Sequence, residues 1–465
     1  MKTRLLLTLW LLPIYISTAA AQNWEIETLR TNIVGAWIRT GDIDLDGDSD
    51  VVIQAGDSIY WHENLRPGWA AHLIDPTFYN SVYAWVDVQD LDGDGDMDVL
   101  KAPLLGSPNN PLTWNENISN GASWEQHTII NIPNYLGWMQ NSYGDMDGDG
   151  DLDIVATEYN NLNEGSLFWL ENVNNAEGFV KHFLKAGDHL YSTVTDLDGD
   201  GDLDIVSALT DVFWLENHLP DTVWTQHQVA APGTSSHIIG TCGDLNGDGL
   251  SDIISNPLFA GNDRVVVYSN PDWPEVTINA APNVLLGEIG DIDGDGDPDV
   301  TYGGLGNSLQ ALGWAENQNN GAAWVNHDVT PAKIAQMFCS GLADIDGDGD
   351  LDMVSLDFNI STGSGDVFWA ANPLFASKTS ETIRTNFELF ISPNPTSDVV
   401  ILQVESTPGA FFQVEIFDLN GRLVKAFEVP GGAAASVSVV DLKSGAYVVK
   451  VFNENGMDIK KLMKP

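Results

Sequence analysis

The sequence predicts an all-β protein in two parts, a sevenfold array of four-stranded units followed by a small β-sandwich. Three observations carry that prediction. A nine-residue acidic motif recurs seven times between Asp42 and Asp352, at intervals of 47 to 55 residues. Each copy is followed by a short apolar run and, in most copies, by two further signatures. The acidity then stops near residue 385, where alternating apolar and polar residues take over.

The chain has 465 residues and a formal charge of −48, from 67 acidic and 19 basic side chains. That excess speaks against nucleic acid or an anionic membrane as the partner. A hydrophobic fraction of 43% with 16 Trp argues against disorder, so the acid must be organised. At the start, Lys2 and Arg4 precede an apolar run from Leu5 to Ile16, and Ala19, Ala20 and Ala21 follow. This reads as a signal peptide over residues 1–21. No later stretch is apolar enough to span a bilayer. Cys242 and Cys339 fall in non-neighbouring repeats and are expected as buried free thiols rather than a bridge.

The acidic motif reads "DIDLDGDSD" from Asp42, "DLDGDGDMD" from Asp90, "DMDGDGDLD" from Asp145, "DLDGDGDLD" from Asp196, "DLNGDGLSD" from Asp244, "DIDGDGDPD" from Asp291 and "DIDGDGDLD" from Asp344. After it come "WHEN" at 61, "WNEN" at 114, "WLEN" at 169 and 214, "WAEN" at 314 and "WAAN" at 369, with only "YSN" at 268. The third signature is an aromatic, usually with His three positions on, as in "WAAHLI" at 69 and "WEQHTI" at 124. Three strand-like segments per unit, plus one leading into the motif, make four strands in about fifty residues. Seven such units over residues 22–373 predict a seven-bladed β-propeller. No third signature follows Asn372, but "WEIETL" stands at Trp24, ahead of the first motif. The N-terminal strand is therefore expected to complete the last blade and close the ring, removing two sheet edges. An open array is the alternative.

Aspartates at the first, third, fifth and ninth positions with Gly at the sixth match the oxygen-rich, tightly turned loops that bind calcium. An EF-hand would place Glu at the twelfth position, and no copy does; the ninth aspartate is expected to take that closing role. The seven motifs hold 33 aspartates, about half of all acidic residues. Carboxylates packed this closely repel unless a cation joins them. Solvated acidic turns are the plainer alternative, and magnesium is disfavoured because it retains more water.

These motifs resemble the FG-GAP/VCBS repeats of calcium-loop propellers, as in integrin alpha subunits and many secreted bacterial proteins, over about residues 23 to 373. The resemblance implies up to seven structural Ca2+ ions, in loops joining the first and second strands of each blade. By the same resemblance the ligands are Asp42, Asp44, Asp46 and Asp50; Asp90, Asp92, Asp94 and Asp98; Asp145, Asp147, Asp149 and Asp153; and Asp196, Asp198, Asp200 and Asp204. The remaining sets are Asp244, Asn246, Asp248 and Asp252; Asp291, Asp293, Asp295 and Asp299; and Asp344, Asp346, Asp348 and Asp352. With Asn246 in place of an aspartate, blade five is expected to bind more weakly.

After a linker at 374–384, residues 385–465 alternate apolar and polar side chains, as in "FFQVEIFDLNGRLVKAFEV", where Asn420-Gly421 signals a hairpin. The segment reads as a small Ig-like β-sandwich. "ISPNPTSD" at 391, "VEIFDLNGRLV" at 414, "SGAYVVKV" at 444 and the final "KKLMKP" resemble the sorting domain of the type IX secretion system. That resemblance implies engagement of the secretion machinery and a secreted or outer-surface location in a Bacteroidetes-type bacterium. An ordinary Ig-like module is the alternative.

Function is expected on the blade face opposite the loops. Trp37, Tyr83, Trp85, Trp138, His189, Tyr191 and His237 lie in or near the segments leading to that face, and Trp37, Trp85 and Trp138 are not required by the repeat. Aromatic faces suit sugar rings, although inner-strand aromatics also fill channels. The recurring His72, His127, His182, His227 and His327 are read as structural. The expected function is a non-catalytic module binding polysaccharide or protein. The alternative is a polysaccharide lyase or hydrolase with its site at the channel mouth, for which His189, Tyr191 and His237 are the only candidate cluster.

Overall fold

The computed structural model describes residues 24–376 and 388–464, except 35–36, 57, 67, 77–83, 104–110, 132–136, 139–140, 160–164, 188, 190, 220, 232, 234–235, 259–263, 282–283, 305–311, 331–340, 360–363, 393–398, 406–410, 419–422, 431, 433, 441, 444 and 454–455. The signal-peptide segment and Cys339 therefore lie outside the described residues. The chain divides into two compact units, residues 1–375 and 376–465.

The first unit is all-β apart from a single helical turn at Pro373–Ala376, which straddles the division. Among the described residues it holds seven sheets. The first contains Ile38–Gly41, Asp50–Ala55, Ser58–Asn64 and Trp69–Asp75, paired antiparallel in chain order. The second, fourth, fifth and sixth sheets repeat this order, beginning at Ala84–Gln89, Tyr191–Thr195, Ser236–Gly243 and Val284–Gly290. The third has a divided first strand, Gly137–Trp138 and Ser142–Gly144, both paired with Asp153–Tyr159. In the seventh sheet Gly341–Ala343, Asp352–Asn359 and Ser364–Ala371 are joined by Glu25–Val34 from the other end of the chain. That strand runs antiparallel to Ser364–Ala371, with Glu25 opposite Ala371 and Val34 opposite Ser364.

Burial explains the sequence pattern of each strand. Second strands read as continuous apolar runs because both of their faces are covered, as in Asp204–Ala208, where every residue is buried. Fourth strands are more open, and in Ala323–Asp328 no residue is fully buried. First strands approach one another so closely that only glycine fits at some positions. A Cβ on Gly41 would lie 2.9 Å from Val88 Cγ1 of the next first strand, and one on Gly144 would lie 3.4 Å from Val194 Cγ2 of the next first strand and 2.5 Å from Leu203 Cδ1 in the loop after it.

The second unit has two sheets. Glu388–Ser392, Val399–Glu405 and Ala434–Ser438 form one, in that order. Leu423–Pro430, Phe411–Asp418, Gly445–Asn453 and Gly456–Lys464 form the other. Val400, Leu402, Val404, Phe412, Val414 and Ile416 come from both sheets and share one buried core, as a sandwich requires.

Candidate metal centres

Each acidic motif occupies the loop between the first and second strands of its sheet. Local geometry follows from the two glycines. Gly199 and Gly201 adopt φ of 78° and 101°, where a Cβ is disfavoured, and the chain turns sharply enough for its carboxylates to face one another. In the first loop the fourth position is Leu45, held at φ 60° and exposed.

The carboxylates converge. Oxygens of Asp42, Asp44 and Asp50 lie within 4.8 Å of one another, as do those of Asp145, Asp147 and Asp153, and of Asp196, Asp198 and Asp204. In two other loops the converging sets are Asp90, Asp92 and Asp94, and Asp291, Asp293 and Asp295. The first aspartate accepts the amide of the sixth residue at 2.9–3.1 Å in all seven loops. These bonds orient the carboxylates without using every lone pair. Asp90 Oδ1 and Asp348 Oδ2 are buried and accept no hydrogen bond among the described residues. Hard oxygen donors of this kind, gathered at one point with unused lone pairs, fit a divalent cation such as calcium.

The third-position carboxyls, Asp44, Asp92, Asp147, Asp198, Asp293 and Asp346, are held above the usual range, chiefly by burial. The charge of the neighbouring fifth aspartate adds to this. Burial acts more strongly on the ninth, pushing Asp98 up to about 8, Asp252 to about 6 and Asp204 to about 7, against opposing amide hydrogen bonds.

The ninth aspartate does more than the sequence suggested. Its Oδ2 accepts the amide of the loop's second residue at 2.8–3.1 Å. Its Oδ1 accepts the amide of an asparagine at or within two residues of the end of the third strand at 2.7–2.9 Å. That asparagine then links sheets. Its Nδ2 donates at 2.6–2.9 Å to the second-residue carbonyl of the preceding sheet's loop, so that Asn117 reaches Ile43, Asn217 reaches Met146 and Asn64 reaches Ile345. The "WxEN" pattern contained this residue, but no spacing within one repeat reveals a bond to another.

The repeated histidines are committed to local packing. In five sheets the ring stacks on the Trp directly across the strand pair, with centroids 4.3–4.9 Å apart. Nε2 of each lies 2.5–2.8 Å from the Glu of the same "WxEN" signature. In the fifth sheet Val267 and Val276 face each other where the Trp and His stand elsewhere.

The proposed ligand residues are buried where they are described: Trp37 is 6% exposed, Trp85 5%, His189 5%, Tyr191 8% and His237 7%. Trp37 and Trp85 pack at 4.3 Å between centroids. His189 packs edge-on against Phe213, and His237 Nδ1 meets Ser255 Oγ at 3.1 Å. Tyr83 and the Trp138 side chain lie outside the described residues. Trp85 and Tyr191 line a cavity of about 600 Å3 between the first strands of six sheets. There Asp87 is held by Arg39 Nε at 2.7 Å, Trp85 Nε1 at 2.6 Å and the Tyr143 hydroxyl at 3.1 Å. Sequence reasoning missed this cluster, whose signal was charge at inner-strand positions that differ between repeats.

Residues 145–207 and 291–355 match the FG-GAP-like repeat, and residues 391–465 match the Secretion system C-terminal sorting domain. No curated protein matches the sequence. Among solved structures the chain is similar to AofleA from Arthrobotrys oligospora, at 13% identity over 68% of this chain and 92% of that one, with a TM-score of 0.39. It is similar to the Aleuria aurantia lectin, a six-bladed β-propeller, at 12% identity over 66% and 98%, with a TM-score of 0.39. A chain of the Mitotic Checkpoint Complex gives 10% identity over 80% and 99%, with a TM-score of 0.47. At these scores none of the likenesses bears on what this chain binds. The chain thus carries FG-GAP-like repeats in an all-β body, followed by a secretion-system C-terminal sorting domain.

Proposed function

We propose that the chain is an exported, calcium-binding, seven-bladed propeller closed by its N-terminal strand, acting at the outer cell surface as a non-catalytic module that binds polysaccharide or protein. The observation that carries this reading is the asparagine relay. The same side chain joins each sheet to the acidic loop of its neighbour, and Asn64 continues the series from the first sheet to the seventh. Such a frame stays rigid only while its loops do, and a cation at each loop supplies that rigidity outside the cell, where calcium modules work at about 10⁻⁴–10⁻³ M. The 28 loop residues named from the sequence are the proposed ligand set. Export follows from the sorting domain at 391–465, with residues 1–21 as its signal peptide.

The test applies the calcium-loaded full chain to glycan and surface-protein arrays, alongside a polysaccharide-degradation screen. Saturable binding without new reducing or unsaturated ends is expected. Turnover that disappears in His189→Ala or His237→Ala would replace the binding module by an enzyme.

A further inference from the structure

Loops, asparagines and histidines repeat around the sheets, but one layer of the first strands does not. Three residues before the first aspartate of successive loops stand Arg39, Asp87, Ser142, Thr193, Thr241 and Glu288. All six line the cavity of about 600 Å3, a volume within the range of small-molecule sites. A layer serving only to pack would be apolar, because burying polar groups costs free energy unless they are satisfied. Here one of them is not. Ser142 is 8% exposed and its hydroxyl has no hydrogen-bond partner among the described residues.

Arg39 and Asp87 pair with each other in the cavity wall. Arg39 is turned onto Asp87 and over the Trp85 ring, 4.8 Å from its centroid. Burial raises the Glu288 carboxyl above its ordinary range, while Arg39 draws it back. What remains is a set of hydroxyl and amide groups that both donate and accept, with the Glu288 carboxyl as an acceptor, which complements a neutral molecule rich in hydroxyls. We infer that this layer binds one neutral sugar residue, seated among Ser142, Thr193, Thr241 and Glu288, with the Arg39–Asp87 pair as a fixed wall. The inference rests on the binding-module reading and assigns its ligand to the cavity rather than to the loops.

The test is saturation-transfer NMR on the calcium-loaded full chain with glucose, galactose, mannose, xylose and N-acetylglucosamine. At least one sugar should receive saturation, with affinity at least tenfold weaker in Glu288→Gln and Ser142→Ala and unchanged in Val223→Ala on an outer strand. Ser142→Ala removes a hydroxyl with no hydrogen-bond partner among the described residues, so its melting temperature should match the wild type. Absence of transfer to all five sugars, or transfer unchanged in both cavity variants, overturns the inference. Array binding that persists in those variants would leave the binding module standing with its site elsewhere.

Discussion

Replacing Asn64 by Ala tests whether the seven sheets form a closed ring. In the structure Asn64 Nδ2 donates to Ile345 O at 2.7 Å and to Ser49 O at 3.2 Å. Asn217 makes the same two bonds within the array, to Met146 O at 2.9 Å and Leu203 O at 3.2 Å. Both side chains are buried, at 4% and 3% exposure, so each alanine leaves two inner carbonyls short of a donor. At about 1–3 kcal/mol for each unsatisfied buried group, partly relieved by entering water, either variant should lose about 2–4 kcal/mol. Urea unfolding of the calcium-loaded chain reads this directly, with the exposed Val223→Ala as reference. In a closed ring the two losses agree, because Asn64 secures a seam equivalent to any other. If Asn217→Ala destabilises while Asn64→Ala stays within about 0.5 kcal/mol of wild type, the size of an ordinary surface substitution, the first and seventh sheets are not joined in solution and the ring reading fails.

Other outcomes follow from the loops. Chelation should lower the melting temperature substantially, and calcium should restore it where equimolar magnesium does not; unchanged melting would remove the metal reading. Leu45→Gly should stabilise the metal-free chain by up to about 1 kcal/mol, since a left-handed conformation costs a side chain about 1–2 kcal/mol and glycine returns part of that in unfolded-state entropy. A loss of stability would show that Leu45 packs in a way its exposure hides. Asn246→Asp should raise calcium affinity in the fifth loop, read by calorimetry as one site moving toward the others. The ninth-position carboxyls titrate near 6 to 8 in the fold, against about 4 unfolded. Between those values the metal-free fold binds more protons than the unfolded chain. Their contribution is therefore complete below about pH 4 and lost as pH rises through 6 to 8. Melting of the metal-free chain should accordingly fall from pH 5 to pH 8, while the increment from added calcium grows; a metal-free chain most stable at pH 8 would contradict the burial of Asp98 and Asp204.

By itself the sequence determined what is local. Aspartate spacing, the glycine at the sixth position and the strand-length apolar runs act within a few residues, so the loops and the four-stranded sheets were legible, and counting signatures around the repeats made the pairing of "WEIETL" with the last sheet legible as well. So were the structural histidines, because a side chain repeated on five sheets serves the sheet. Tertiary structure decided whatever depends on two sheets meeting. Asn172 and Leu91 are 81 residues apart when they bond, Arg39 and Asp87 are 48 apart, and no residue pattern within one repeat specifies either contact. The same distance effect explains the aromatic residues. Trp37 and Trp85 suit a sugar ring by residue type, but the packing of the first two sheets brings their rings to 4.3 Å and buries both. Periodicity states which way a side chain leaves its strand, and only the packing of adjacent sheets decides whether water, a cavity or another ring is waiting there.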